Sequence, residues 1–293
     1  MAALLQFTIN GLIAGSIYAL VASGFSLIYS TNRFMHLAHG ATVAVGGYIL
    51  FTLFSLLGWP FFASAFLTLI FTGIFGVGLF RFVYLPLQNK KASNVVLLIA
   101  SIALLILVAN SIQLIFGATV KSIGLITVSK GLNFYGAAIT PLQIIIIGVS
   151  IVIFVALYVF MKKTKLGRNM RAVADNKELA SVVGINQIRV ADWSFFLGSV
   201  LAGIGGILIG LEQNIFPDMG TMLIIRGFTG AVVGGITSVP GAVVGSYLLG
   251  LIENYGIWFL PSGYKDAIAF LVLLIFLVFK PTGLFGLSKG VKQ

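Results

Sequence analysis

The chain has 293 residues, of which 59% are hydrophobic and 9% are charged, and its formal net charge is +11. In soluble domains about a quarter of the residues are charged, so this composition excludes that class and indicates a polytopic membrane protein.

The absence of cysteine excludes disulfides, and two histidines without a Cys partner argue against a metal site. No phosphate-binding loop of the Gly-x-x-x-x-Gly-Lys-Ser/Thr kind occurs, so we expect no bound nucleotide, no cofactor and no enzymatic activity on this chain. The basic residues lie beside the apolar runs rather than in one patch, which argues against nucleic-acid binding.

Long apolar runs predict the transmembrane helices. Runs such as IIIIGVSIVIFVALYVF are apolar on every face, whereas strands of a membrane barrel alternate, so the predicted fold class is all-α. The first run comes after a segment without the basic start of a cleaved signal peptide, and we expect it to be retained. Runs of about 17 to 25 residues suit single spans. About nine are predicted, with eight to ten possible: 7–29, 37–57, 61–84, 95–116, 141–161, 193–211, 223–239, 241–258 and 265–280.

The seventh and eighth of these runs are interrupted by polar or helix-breaking residues. Arg226 lies inside the seventh, and the Pro240–Gly241 pair separates the two. A charge and a proline are both costly inside a plain membrane helix. A broken or re-entrant helix is therefore the alternative to two complete spans in this region.

The segment 162–192 differs from the rest of the chain in charge. It contains ten of the 25 charged side chains, seven basic and three acidic, between two apolar runs. The excess of basic residues predicts a cytoplasmic loop within a single membrane domain that covers 1–293. With the N-terminus outside and the C-terminus in the cytoplasm, fourteen of the eighteen basic residues fall inside, among them Lys289 and Lys292, and Lys130 falls outside.

This segment is also predicted to be helical. Leu166, Met170 and Val173 are spaced at i, i+4 and i+7, and this spacing gives an apolar stripe on one face. Leu179, Val182 and Val183 continue an apolar stripe. Gly184 is expected to end the helix.

Small residues at every fourth position predict where helices pack closely. In a membrane such columns let two backbones approach, because there is no hydrophobic drive between helices. The glycines expected at these contacts are Gly11, Gly15, Gly198, Gly206, Gly234 and Gly245.

A few polar residues are predicted to lie inside the membrane. Asn and Gln side chains commonly join helices by hydrogen bonds, so both a structural role and a role in the pathway stay open. Arg226 needs a partner, for which Glu212, Asp218 and Glu253 are candidates. Carboxylates deep in the bundle are scarce, which argues against a proton- or sodium-coupled carrier. The candidates for intramembrane polar or pathway positions are Asn110, Gln113, Arg226 and Glu253.

Several longer stretches resemble the integral-membrane permeases of bacterial ABC importers for branched-chain amino acids. They occur in the order typical of that family and together extend over nearly the whole chain. Leu179 stands where the family pattern has an alanine, and His36 stands where relatives usually have asparagine. The matching stretches are GLIAGSIYALVASGFSLIYS (11–30), HLAHG (36–40), TKLGRNMRAVADNKELASVVGIN (164–186), FPDMG (216–220), VVGGITSVPGAVVGSYLLGLIE (232–253) and KPTGLFG (280–286).

The resemblance implies the importer-permease fold, a place in the bacterial inner membrane and a role for the segment 162–192. In the family this segment contains a short helix that docks into a cytoplasmic ATPase subunit. ATP and Mg²⁺ are then bound by that partner and not by this chain. The coupling residues implied by the match are Gly167, Arg168, Arg171, Ala172, Glu178, Ala180 and Gly184.

The resemblance also implies the partners and leaves the cargo open between two choices. The implied partners are a second homologous permease, two ATPase subunits, an extracytoplasmic substrate-binding protein and membrane lipid. Leucine, isoleucine and valine are the expected cargo. Urea, short amides or a broader set of amino acids are the alternative within the class, and an ATP-independent channel or carrier is the alternative outside it.

Overall fold

The computed structural model describes residues 2–125, 131–134 and 136–286. Lys130, Lys289 and Lys292 of the orientation count lie outside these residues. The described part is mainly helical. Its α-helices are α1 (Ala2–Asn32), α2 (His39–Leu50), α3 (Phe61–Leu79), α4 (Leu85–Asn89), α5 (Asn94–Phe116), α6 (Pro141–Lys163), α7 (Lys165–Asp175), α8 (Lys177–Val182), α9 (Gln187–Gln213), α10 (Met219–Gly234), α11 (Val239–Gly256) and α12 (Lys265–Phe279).

Shorter elements extend or connect these helices. A π-helical segment, Phe51–Leu56, continues α2, and a second, Phe80–Tyr84, joins α3 to α4. A single 3₁₀ turn, Ser262–Tyr264, precedes α12. Between α5 and α6 the strands β1 (Leu132–Phe134) and β2 (Ala137–Ile139) form an antiparallel hairpin.

Seven helices of the described part are long and apolar enough to cross a membrane. They correspond to seven of the nine predicted spans. The eighth and last candidate is the pair α10 and α11, which passes the same test only when both helices are taken together, and the pair is bent by 115°. The described residues therefore contain seven candidate spans, or eight if the bent pair is one span, and the pair corresponds to the broken or re-entrant helix considered as the alternative for this region. The seven are Ala2–Asn32, His39–Leu56, Phe61–Asn89, Asn94–Phe116, Pro141–Lys163, Gln187–Gln213 and Ser262–Phe279.

The bend lies at Gly235 and not at the Pro240–Gly241 pair. Gly235 has a φ of +113°, a conformation that residues with a Cβ rarely adopt. Ser238 then caps α11, since its hydroxyl accepts a hydrogen bond from the Gly241 amide at 3.2 Å. Pro240 occupies the first turn of α11, where a missing N–H leaves no hydrogen bond unmade. The proline therefore starts a helix here instead of interrupting one.

Helix α1 is the centre of the bundle. Of the residues in the most apolar stretch of α1, 89% are buried. The corresponding share is 17% for α6 and 11% for the span that contains α12. A Cβ built on Gly11 would lie 2.9 Å from the Leu251 side chain, and one on Gly15 would lie 2.9 Å from Tyr247, so α11 packs directly on α1. A Cβ on Gly198 of α9 would lie 2.7 Å from the Ile28 side chain. The outer faces of α6 and α12 are left to contact lipid or other chains.

The remaining glycines of the predicted columns also lie at helix contacts. A Cβ on Gly206 of α9 would overlap the carbonyl oxygen of Val43 on α2. On α10 and α11, Gly234 and Gly245 face backbone atoms of each other's helix. These backbones approach so closely that any larger side chain would separate the helices.

The second helix starts well inside the bundle. His39 is the first residue of α2 and is fully buried. Its Nε2 atom would lie 2.8 Å from a Cβ built on Gly24 of α1. Gly24 precedes the end of α1 by eight residues, or about 12 Å of helix at about 1.5 Å per residue. The connection after α1 therefore turns back toward the middle of the bundle before α2 begins.

Candidate functional site

The segment 162–192 contains two short helices instead of the single predicted one. Thr164 ends α6 and caps α7, because its hydroxyl accepts a hydrogen bond from the Gly167 amide at 3.0 Å. Asn176 ends α7 and caps α8, because its side-chain oxygen accepts a hydrogen bond from the Leu179 amide at 3.1 Å. Gly184, with a φ of +83°, lies just beyond the end of α8, as expected for a helix stop.

The two helices are anchored to the membrane bundle by one apolar face. Met170 and Val173 of α7 and Ala180 of α8 are buried in a small cluster with Leu27 of α1 and Val190 of α9. The position of α7 and α8 is therefore tied to two spans of the bundle.

Leu179, Val182 and Val183 lie on the outward side, where they are 64%, 81% and 74% exposed. They continue the apolar pattern of the sequence but not the buried face of α7, because Asn176 ends α7 and begins a separate helix. We call these three side chains the cytoplasmic patch.

The predicted coupling residues divide between surface and interior. Arg168, Arg171, Glu178 and Gly184 are exposed. The other three face inward: Gly167 and Ala180 are buried and Ala172 is half-buried. A Cβ on Gly167 would lie 2.6 Å from the Met161 Cα atom, so this glycine permits the sharp turn from α6 into α7.

Two polar contacts attach this segment to the end of α1. The Lys177 ammonium donates to the main-chain carbonyl of Asn32, the last residue of α1, at 3.0 Å. The Arg33 guanidinium donates to the carbonyl of Ala174 in α7. Burial lowers the pKa of Lys177, and the nearby positive charge of Arg33 acts in the same direction. Lys177 therefore attaches the start of α8 to the end of α1.

A cluster of charges lies between α1, α10, α11 and α12. Arg226 donates to Asp266 at 2.6 Å and to the Tyr18 hydroxyl at 3.0 Å. The Tyr18 hydroxyl in turn donates to Glu253 at 2.9 Å, and Glu253 lies 3.8 Å from Arg226. Glu253 is fully buried, so the cluster gives this carboxylate both a cation and a hydrogen bond.

Among the described residues, one of the three predicted partners contacts Arg226. Glu253 is correct, whereas Glu212 instead accepts a hydrogen bond from Gln143 at 2.8 Å and Asp218 is exposed before α10. Asp266 is a partner that sequence reasoning misses, because it lies in the first turn of α12, at the edge of an apolar run. No feature of the sequence near Asp266 points to a residue forty positions away.

A cavity of about 360 Å³ lies beside the charge cluster. It is bounded by α1, α6, α9, α10, α11 and α12. Its polar lining includes two hydrogen-bonded pairs. Gln143 donates to Glu212, and the Lys265 ammonium donates to the Asn254 side chain at 3.1 Å. Its apolar lining includes Ile13, Ile17, Ile209, Met219 and Leu223.

Asn110 and Gln113 do not join the cluster or the cavity. Both are exposed on the outer face of α5, as is their neighbour Ser111. Asn110 donates to the carbonyl of Ile106 at 2.8 Å, and Ser111 donates to that of Leu107 at 2.8 Å. These donors are satisfied by their own helix, and the amide oxygen of Asn110 is left to face outward.

Comparison with known proteins relates the whole chain to transport permeases. Residues 7–277 match the family model described as the permease component of the branched-chain amino acid transport system. The chain is 33% identical to the high-affinity branched-chain amino acid permease protein BraD of Pseudomonas aeruginosa, with 96% of this chain and 95% of the relative covered. It is 32% identical to the corresponding protein LivH of Escherichia coli K12, with the same coverage.

A solved structure has the same fold. It is PsaBC from Streptococcus pneumoniae in complex with a Fab, with a TM-score of 0.52 and 16% sequence identity. The match covers 94% of this chain and 93% of the matched chain. At this identity the likeness concerns the fold alone. The family model and the relatives that match over nearly their full length carry the assignment. This chain belongs to the family of permease components of branched-chain amino acid transport systems.

Proposed function

We propose that the chain is the membrane-spanning subunit of an ATP-driven importer for leucine, isoleucine and valine in a bacterial inner membrane. The family model and the two relatives support the transport class and the cargo. In this proposal the chain has no catalytic activity of its own. ATP and Mg²⁺ are bound by two cytoplasmic ATPase subunits, and an extracytoplasmic binding protein delivers the amino acid.

The proposed topology has seven complete spans and one re-entrant pair, α10 with α11, in a single domain 1–293. A bend of 115° reverses the direction of the chain, so the pair enters and leaves the membrane on one side. Seven crossings then place the two termini on opposite sides. With the N-terminus outside, the basic segment 162–192 and Lys280 lie in the cytoplasm, as the positive-inside rule requires.

The cytoplasmic patch carries the proposal of ATPase coupling. Leu179, Val182 and Val183 are largely exposed on a helix whose other face is anchored to the bundle. Apolar side chains that cluster on a protein surface mark a contact with another molecule. Arg168 and Glu178 are exposed in the same segment and can pair with charges on a soluble partner.

The outer face of α5 supports pairing with a second permease chain. Only 33% of the residues in the apolar stretch of α5 are buried. Its exposed side carries the polar amides of Asn110 and Gln113. Amide groups that face lipid are unfavourable unless another helix supplies a hydrogen-bond partner. In the proposed complex a homologous permease covers this face.

Purification of the tagged chain from its native membrane in mild detergent tests the proposal. Mass spectrometry is expected to identify an ATPase subunit and a second permease in the same complex. Proteoliposomes that contain this complex and the binding protein should take up leucine only when ATP is present on the ATPase side of the membrane. Uptake of urea or short amides instead would support the other cargo, and uptake in ATP-free vesicles by the chain alone would replace the importer by a channel or carrier.

A further inference from the structure

The cavity beside Arg226 has the size and lining of a small-molecule site. Its volume of about 360 Å³ lies within the range of about 300–1,000 Å³ that is usual for ligand pockets. Ile13 and Ile17 of α1 and Leu223 of α10 form an apolar wall. Charged side chains lie on the same lining, which combines features needed for a molecule with both an aliphatic and an ionic part.

Two opposite charges on the lining form no direct ion pair with protein, although the Glu253 carboxylate acts on Lys265 from a longer distance. Lys265 donates one of its three hydrogens to the neutral Asn254 amide, and Glu212 accepts at one oxygen from the neutral Gln143 amide. Within residues 2–125, 131–134 and 136–286 neither group has an opposite charge within 4 Å, whereas Arg226 is paired with carboxylates. A half-buried charge without a direct ion pair is costly in a membrane protein and makes these two groups candidates for binding a ligand.

We propose that this cavity binds a free α-amino acid with an aliphatic side chain. The α-carboxylate binds Lys265, the α-ammonium binds Glu212, and the side chain packs on Ile13, Ile17 and Leu223. A zwitterion supplies a direct ionic partner to both groups at once, which neither a fatty acid nor an amine does. The inference rests on the proposed importer function and adds to it a binding site formed inside one permease chain.

Binding of three ligands to the purified native complex, without the binding protein, tests the assignment of the two charges. L-leucine carries both ionic groups, 4-methylpentanoate lacks the ammonium, and leucinamide lacks the carboxylate. Glu212→Gln is expected to weaken leucine binding by about tenfold or more, the loss of one charge-assisted bond, and to leave the binding of 4-methylpentanoate unchanged. Lys265→Gln should weaken the binding of leucine and 4-methylpentanoate and leave that of leucinamide unchanged.

Lys121→Gln is the matched control. Lys121 is a half-exposed lysine whose backbone pairs with Ile215 on the loop after α9, and it does not line the cavity. Its substitution should leave all three affinities as they are. Equal affinities in all three variants, or no leucine binding by the unmodified complex, would overturn the proposed site.

Introduced cysteines provide a test that does not remove a charge. The chain contains no cysteine, so a single one gives a clean signal. Leucine should slow thiol labelling of Ala14→Cys in the cavity and leave Leu4→Cys, on the exposed start of α1, unaffected. Equal labelling with and without leucine contradicts the site.

The same preparations separate this site from the proposed function. ATP-driven leucine uptake without protection of Ala14→Cys means that the importer is correct and the site is wrong. Protection without ATP-driven uptake means that the amino-acid site exists in a protein of another transport class.

Discussion

The Lys177 ammonium lies 3.0 Å from the main-chain carbonyl oxygen of Asn32 and thereby caps the end of α1. Lys177 begins the helix that carries the cytoplasmic patch, and the apolar stretch of α1 is the most buried among the seven candidate spans. The bond therefore joins the surface proposed for the ATPase to the helix around which the others pack. A cation at a helix C-terminus also interacts favourably with the helix dipole.

Loss of this bond is expected to reduce coupling more than assembly. In Lys177→Met the aliphatic part of the side chain is kept and the charge is removed, so α8 stays anchored through Ala180 while the contact with Asn32 is lost. We expect less leucine transported per ATP hydrolysed, with the complex still assembled. Reconstituted vesicles in which uptake and ATP hydrolysis are measured together give this ratio.

Lys165→Met is the control for that variant. Lys165 is exposed at the start of α7, so its substitution removes one positive charge from the same segment and leaves the bond between Lys177 and Asn32 intact. An equal fall of the transport ratio in both variants would indicate a general effect of charge in the segment and not the bond to α1.

The charge cluster predicts an order of stabilities. Arg226→Met leaves the buried Glu253 carboxylate without its closest cation, and such a loss costs about 3–5 kcal/mol. Asp266→Asn removes a carboxylate that is 49% exposed and leaves Arg226 with Glu253, so its effect should be much smaller. Thermal unfolding in detergent, monitored by the fraction that stays monodisperse, measures both.

A double variant tests whether the cost arises from the unpaired carboxylate. Arg226→Met with Glu253→Gln removes both charges, and the second change should restore part of the stability lost in the first. Additive losses would show that Arg226 stabilises the bundle through Asp266 and Tyr18 rather than through Glu253.

The sequence predicts the main helices because the membrane restricts the structures that an apolar run can form. A run such as 141–161 must satisfy its backbone within one helix, and α6 contains it entirely. The predicted glycine columns likewise lie at contacts, since close approach in a membrane depends on the absence of a side chain. Both are local properties that a single stretch of sequence contains.

Other features depend on contacts or caps that the apolar pattern does not show. Arg226 pairs with Asp266 because α10 and α12 pack together, which is not visible in either stretch. Asn176 turns the exposed face of α8 away from the bundle by capping a new helix, although the apolar spacing continues through it. Pro240 looks like a helix breaker and begins a helix instead, because the chain has already turned at Gly235.

Gly206→Leu is expected to separate α9 from α2. A Cβ at this position overlaps the carbonyl oxygen of Val43, so the side chain can be accommodated only if the two backbones move apart. Overpacking of this kind costs about 1–3 kcal/mol and more where backbone is involved.

Gly148→Leu is the matched control, since a Cβ there meets no atom within 4 Å on the exposed side of α6. Size-exclusion profiles should show loss of the monodisperse peak for the first variant only; a normal profile for Gly206→Leu would mean that α2 and α9 can separate without penalty.

Gly184→Trp is expected to abolish coupling while the chain still inserts and folds. Gly184 is exposed beyond the end of α8 next to the cytoplasmic patch, and a Cβ there meets no atom within 4 Å. A large side chain at this place is therefore expected to clash with a partner docked on the cytoplasmic patch and not with the chain itself. Its φ of +83° adds backbone strain for any residue with a Cβ, so Gly184→Asn, a small side chain that tolerates this conformation, separates strain from steric exclusion. We expect ATP-driven uptake to be lost in the tryptophan variant and kept in the asparagine variant, with equal amounts of both chains in the membrane. Normal uptake by Gly184→Trp would place the ATPase contact elsewhere on the cytoplasmic surface.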